Sequence, residues 1–171
     1  MVASREERGR ALRKRVPRSS MERWKPPRHR DAMGVLVNQE RRLIKSLLPL
    51  RHHRMSASPF AFYRGSAAVM AADLGGLPPT GLRVQVCGDA HVANFGMYGT
   101  PERNVVFDLN DFDETLSGPW EWDVLRMAAS LVLAARDRNF SRAISSESVY
   151  RGVQSYRTAM LEFAAKSPLA V

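Results

Sequence analysis

The chain has 171 residues, of which 44% are hydrophobic, so it is long enough to bury the core of one ordinary domain. Its single cysteine, Cys87, excludes an internal disulfide and a cysteine-based zinc site, and it favours a reducing cytoplasm as the location. No apolar run is long enough to predict a transmembrane segment, and the basic N-terminus lacks the apolar stretch of a secretory signal.

The positive charge is concentrated in the first 30 residues. The formal net charge of the whole chain is +9, and residues 1–30 hold eleven Lys or Arg against three acids. With three prolines (Pro17, Pro26 and Pro27), residues 1–30 are predicted to be an irregular basic arm. Such an arm can bind nucleic acid or an anionic surface weakly by counterion release, although a solvated leader is the simpler interpretation.

Two helices are predicted before the first strand. Asp31 is a good N-cap for a helix that runs to about residue 48, where Pro49 is expected to end it. Ser58-Pro59 is a typical helix start, and the helix that follows is expected to stop at Gly75-Gly76.

The second half of the chain alternates between strand and helix signals. Residues 82–88 ("LRVQVCG") and 104–109 ("NVVFDL") are predicted strands, with "YGTPERN" as a hairpin loop between them. A turn is expected at 117–119 ("SGP"), a buried helix over 121–137, and a last helix from about Ser146. The pattern predicts a helix-dominant α+β fold with a short β-hairpin.

Acidic residues cluster after the polar stretch "GDAHVANFG" (88–96). From Asp108 to Asp123 there are six acids and no Lys or Arg. Neighbouring carboxylates repel one another unless solvent, distant cations or a metal ion compensates their charge. Oxygen ligands without cysteine or histidine favour Mg²⁺, Mn²⁺ or Ca²⁺ over zinc.

The order of side chains in this region matches the needs of phosphoryl transfer. Asp89 follows a strand and a glycine, Asn94 lies five residues later, and further aspartates come next. Phosphoryl transfer uses a loop Asp for the acceptor hydroxyl and an Asn and a later Asp for the metal. Residues of these types are needed because positioning and charge neutralisation contribute most of the catalysis.

The stretch "GDAHVANFG" resembles the catalytic loop H-G-D-x-H-x-x-N of aminoglycoside phosphotransferases and related kinases, with Cys87 in place of the first His. The later stretch "DFDETLSGPWEWD" is similar to the metal-binding segment of those enzymes. The resemblance implies that Asp89 is the catalytic base and that Asn94 and Asp111 hold Mg²⁺ or Mn²⁺. Because Asp113 replaces the glycine of D-F-G, the choice of metal ligand among Asp108, Asp111 and Asp113 stays open.

Three further residues are expected to support this site. By its position in the resemblance, Asp123 is a buried support for the loop. His91 is expected to order the loop rather than to bind metal. Arg64, in "FYRGS" on an apolar helix, is expected to form a structural ion pair, with phosphate binding as the alternative.

Longer strings such as "RMSASPFAFYRGSAAVMAADL" and "NVVFDLNDFDETLSGPWEWDVLRMAAS" resemble the bacterial family of domain of unknown function 2252. The resemblance covers roughly residues 15–140. It implies a partial protein-kinase-like domain, similar to a kinase C-lobe, over residues 31–171, in which the hairpin bears the catalytic loop.

Two usual kinase elements are missing from the sequence. There is no G-x-G-x-x-G stretch, and none of the four lysines lies in a "VAIK"-like strand. We therefore expect the chain to be the N-terminal part of a longer protein and to be inactive alone. ATP or another nucleotide would bind only to the full-length protein, through residues outside this chain, and the acceptor would be an unknown small molecule or protein.

Two other functions are compatible with the sequence. One is a non-catalytic binding module whose basic arm contacts nucleic acid or another anion. The other is a metal-dependent phosphoesterase, because "GDAH" contains D-x-H, although the later histidines of such sites are absent.

Overall fold

The computed structural model describes residues 4–166, which form seven α-helices and four short β-strands. The helix-dominant α+β class predicted from the sequence is confirmed. Short 3-10 helices lie at Arg18–Arg23, Lys45–Leu47 and Val92–Asn94. In chain order the elements are α1 (Arg5–Arg15), α2 (Ala32–Glu40), α3 (Leu48–Met55), α4 (Pro59–Arg64), α5 (Ala67–Leu74), β1 (Arg83–Val86), β2 (Phe95–Gly99), β3 (Val105–Leu109), β4 (Leu116–Pro119), α6 (Glu121–Asp137) and α7 (Arg142–Ala165).

The strands form two separate antiparallel pairs. β2 and β3 form a hairpin in which Phe95 lies opposite Leu109. β1 pairs with β4, so that Val86 lies opposite Leu116. The predicted hairpin loop is therefore correct, but its first strand is β2, and the turn predicted at 117–119 is wrong because these residues belong to β4. Alternating side chains identify a strand but not its partner.

The predicted helices differ from the observed ones in three places. The helix predicted to run to about residue 48 ends at Glu40. Pro49 does not end a helix; it occupies the first turn of α3, where a missing N–H costs nothing. The helix predicted after Ser58 is two helices, α4 and α5, separated at Gly65 and Ser66. The N-caps are as predicted, since Asp31 accepts a hydrogen bond from Gly34 N and Ser58 accepts one from Ala61 N.

The last two helices follow the sequence closely. α6 spans the residues predicted for it, and most of its side chains are buried or half-buried. α7 packs along α6 and begins one turn earlier than predicted, because Ser141 caps it by accepting a hydrogen bond from Ile144 N.

The N-terminal arm is more ordered than the sequence predicted. Residues 1–3 lie outside the described residues, but Arg5–Arg15 is helical, so the prediction of irregular structure is wrong there. Ser4 and Glu7 form a capping box, which offsets the weak amphipathicity of this helix. The arm also contacts the rest of the chain, since Trp24 Nε1 donates to Asp73 O at 3.1 Å and Arg30 pairs with the Asp73 carboxylate at 2.7 Å.

Among residues 4–166, none of the helices combines the length and the apolar character that crossing a membrane requires.

Gly88, directly after β1, is the position where a side chain should be least tolerated. Its φ is +84°, and an added Cβ would lie 2.3 Å from the carbonyl oxygen of Glu114. We expect Gly88→Ala to reduce the free energy of unfolding by about 2 kcal/mol or more, measured by urea denaturation. Gly99→Ala is the matched control, because its Cβ meets nothing within 4 Å. Equal effects of the two substitutions would contradict this view of the turn.

Candidate functional site

The segment from Cys87 to Asn94, here called the site loop, connects β1 to β2 and lies against α6. Asp123, in the first turn of α6, accepts hydrogen bonds from Cys87 N at 2.7 Å and from Gly88 N at 3.1 Å. A carboxylate at a helix N-terminus is also favoured by the helix dipole. The first part of the site loop is therefore held by one charged side chain of α6.

Two more side chains of α6 hold the rest of the site loop. Arg126 Nε donates to Asp89 Oδ1 at 2.6 Å, and Ser130 Oγ accepts from Val92 N at 2.9 Å. Positions 123, 126 and 130 are spaced by three and four residues, so they lie on one face of the helix. We call Asp123, Arg126 and Ser130 the loop-facing stripe.

The Asp89–Arg126 ion pair is buried. Arg126 is 2% exposed and the Asp89 side chain 13%. The Arg126 guanidinium also donates to Tyr63 O at 2.9 Å and lies 4.3 Å from the centre of the Tyr63 ring. Burial raises the pKa of Tyr63 to about 12, so its neutral hydroxyl donates to Arg126 O at 2.8 Å. The carboxylate of Asp89 is thus compensated by a cation that is itself fixed by α4.

His91 lies inside the site loop and is 2% exposed. Its Nε2 is 3.6 Å from Asp89 Oδ2, and its ring packs edge-on against Phe60. Burial lowers the pKa of His91, which favours a neutral imidazole at neutral pH. Its Nδ1 has no hydrogen-bond partner among the described residues. These contacts place His91 beside Asp89 as a neutral, packed side chain.

Asn94 connects the site loop to the acidic segment. Its side-chain Nδ2 donates to the backbone oxygen of Asp89 at 2.9 Å. Its backbone carbonyl accepts a hydrogen bond from Asn110 N at 2.8 Å. Asp111 therefore follows directly after a residue that is paired with Asn94. Asp89, Asn94 and Asp111 line one cleft of about 550 Å³, here called the site cleft.

The other two candidate aspartates lie elsewhere. Asp108 is on β3, accepts a hydrogen bond from Leu109 N, and lines a different, mostly apolar cleft. Asp113 is exposed, does not line the site cleft, and donates its N–H to Asp111 Oδ1 at 3.1 Å. Of the three aspartates, Asp111 alone lines the same cleft as Asp89 and Asn94.

The site cleft offers only some of the ligands that a metal ion needs. Within residues 4–166, no group of three His, Cys, Asp or Glu side chains is arranged to hold a metal ion. Asn94 and Asp111 offer an amide oxygen and a carboxylate. That pair fits Mg²⁺, which typically takes one or two protein carboxylates and completes its shell with water and phosphate oxygens.

The surroundings of Arg64 differ from those predicted. It is exposed at the end of α4, and no carboxylate lies within ion-pair distance of it in the part of the chain that the structure describes. The expected structural ion pair is formed by Arg126 instead. The sequence contained a signal for Arg126 and Ser130, because they are polar positions at helical spacing inside an apolar helix.

Cys87 is not a candidate nucleophile, since burial raises the pKa of its thiol to about 11.

Residues 41–171 match the family model DUF2252, described as an uncharacterized protein conserved in bacteria. The chain belongs to the DUF2252 family. No curated protein and no solved structure matches the chain. The matched region starts after α2 and includes the site loop, α6 and all residues that line the site cleft, so the candidate site belongs to the family domain.

The buried ion pair of this DUF2252 domain can be tested by a double-mutant cycle. Arg126→Met leaves the Asp89 carboxylate buried without its cation, and we expect it to cost about 3–5 kcal/mol of unfolding free energy. Adding Asp89→Asn should recover at least about 1 kcal/mol, because the unpaired charge is removed. Arg136→Met, at an exposed position of α6, is the matched control and should change the stability by less than about 0.5 kcal/mol. Strict additivity of the two site substitutions would contradict a direct pair.

Proposed function

We propose that the site cleft is the metal-binding and acceptor-binding part of a phosphoryl-transfer site in a kinase-like domain. The observation that supports this most is that Asp89, Asn94 and Asp111 line one cleft. These residue types, in this order, are the ones that phosphoryl transfer uses for the acceptor hydroxyl and the metal. The resemblance of the site loop to the catalytic loop of aminoglycoside phosphotransferases gives separate support.

In this proposal Asp89 accepts the hydrogen of the acceptor hydroxyl. Its Oδ1 is engaged by Arg126, so Oδ2 is the oxygen that serves the acceptor. A carboxylate stabilised by a guanidinium is a weak base, and its main contribution is to orient the hydroxyl toward the phosphoryl group. His91 packs beside Oδ2 and limits the positions that the carboxylate can take. Asp123 and Ser130 act as positioning residues, because they hold the site loop and touch no reacting atom.

Asn94 and Asp111 are the proposed ligands of Mg²⁺ or Mn²⁺. When bound, the ion neutralises charge on the phosphate oxygens during transfer. The hydrogen bond from Asn94 Nδ2 to Asp89 O leaves the amide oxygen of Asn94 directed away from that contact and free to act as a ligand. Asn94 would thereby hold a metal ion beside the backbone of Asp89.

The site cleft accounts for the acceptor and metal side of the reaction. In this proposal the donor is ATP or another nucleotide, and the sequence contains no G-x-G-x-x-G stretch to hold its phosphates. The acceptor is a small molecule or a protein with a free hydroxyl.

Mn²⁺ can serve as a probe of the proposed metal site, because its unpaired electrons broaden NMR signals of nearby nuclei. We expect Mn²⁺ to broaden the amide signals of Asn94 and Asp111 first. Asp111→Asn should weaken this effect by about tenfold or more, since it removes a charged ligand. Asp108→Asn is the matched control: it removes a carboxylate of the same acidic segment that lines another cleft. Loss of the effect in the control, or no change in Asp111→Asn, would refute the assignment.

A further inference from the structure

The site cleft contains three arginines that the proposed reaction does not use. Arg51 and Arg54 lie three residues apart on α3, and Arg64 lies at the end of α4. Among the described residues, no carboxylate lies within ion-pair distance of any of the three. Arg51 Nη2 donates to Gly65 O, whereas its Nε is buried and has no hydrogen-bond partner in the described part of the chain.

The balance of charge in the site cleft is positive. Two carboxylates, Asp89 and Asp111, line it together with the three arginines. Asp89 is already compensated by Arg126, which is buried behind it. Three arginines therefore line the cleft with one uncompensated carboxylate, and a concave surface of one sign attracts ions of the opposite sign.

Another part of the cleft lining, here called the apolar wall, is apolar. It is formed by leucine and isoleucine side chains from residue 43 to the first turn of α3, and several of them are open to solvent: Ile44 is 67% exposed, Leu47 52% and Leu50 46%. Small-molecule sites typically combine such apolar lining with a few charged groups that fix orientation. The volume of about 550 Å³ is sufficient for a ligand of metabolite size.

We propose that Arg51, Arg54 and Arg64 bind a phosphate group of a small-molecule ligand, whose remaining part lies on the apolar wall. Guanidinium groups are suited to this role because they donate two parallel hydrogen bonds to phosphate oxygens. The phosphate belongs to the donor or to a phosphorylated acceptor of the transfer reaction. That last assignment rests on the proposed function, whereas the phosphate site itself rests only on the three arginines and the cleft.

The test is calorimetric titration of the full chain with inorganic pyrophosphate, at low salt and without divalent metal. We expect the double variant Arg54→Gln/Arg64→Gln to bind pyrophosphate at least about tenfold more weakly than the unaltered chain. Arg51 is left in place because it also caps α4 through Gly65 O. The variant Arg54→Lys/Arg64→Lys keeps the charge and should lose less affinity than the glutamine variant. Thermal unfolding of each variant confirms that the fold is intact.

The basic arm supplies the matched control. Arg8 and Arg13 lie on α1 and do not line the site cleft, and neither belongs to an ion pair in the described residues. Arg8→Gln/Arg13→Gln removes the same charge and should change the affinity by less than about threefold. Absence of pyrophosphate binding, equal binding by the cleft variant, or a greater loss in the arm variant would each overturn the phosphate site.

Two further measurements distinguish a failure of the phosphate site from a failure of the proposed function. Asp111→Asn removes a negative charge from the cleft, so it should bind pyrophosphate at least as tightly as the unaltered chain. If that holds while Mn²⁺ binding at Asp111 fails, the phosphate site stands and the phosphoryl-transfer proposal falls. Titration with ATP and with ribose 5-phosphate identifies the source, because the ligand whose apolar or sugar part fits the wall should bind more tightly than pyrophosphate. If Arg54→Gln/Arg64→Gln weakens the binding of either ligand, that result supports the phosphate site.

Discussion

The rest of the site depends on the hydrogen bonds and the ion pair by which α6 holds the site loop. Polar groups of the loop are taken out of water against a largely apolar helix, and such groups cost free energy unless they are paired. The loop-facing stripe supplies those partners in order: Asp123 at the start of the loop, Arg126 at Asp89, and Ser130 at Val92. A rigid helix of 17 residues thereby fixes the geometry of a loop that belongs to neither β-sheet.

The same contacts connect the loop to both walls of the site cleft. Arg126 binds Asp89 and also the carbonyl of Tyr63, so the helix that holds the loop also holds α4. On the other side, Asn94 is paired with Asn110, which fixes the acidic segment at Asp111. A buried ion pair adds little net stability, but removing one partner is costly. The pair therefore defines one arrangement of the cleft more than it strengthens the fold.

Several features of this arrangement could be predicted from the sequence because their signals are local. The bounds of α6 follow from its apolar pattern, and the N-caps from Asp31 and Ser58. The order and spacing of Asp89, Asn94 and Asp111 suggest one shared site, and the three residues line one cleft. Strand pairing could not be predicted, since it depends on contacts distant in the chain. The ion pair predicted for Arg64 is formed by Arg126, because the partner of a buried arginine is set by contacts distant in the chain. Residues 5–15 are helical although charge and nearby prolines indicate an irregular arm, because the capping box of Ser4 and Glu7 stabilises the start of the helix.

Amide hydrogen exchange tests the role of α6 most directly. In the unaltered chain the amides of Cys87 and Gly88 should be protected, although both lie in a loop. Asp123→Ala should accelerate their exchange by about tenfold or more and leave the Val92 amide, which Ser130 holds, much less affected. Ser130→Ala should give the reverse pattern. If Cys87 and Gly88 exchange at the rate of a free peptide, or if Asp123→Ala leaves their exchange unchanged, α6 does not hold the site loop.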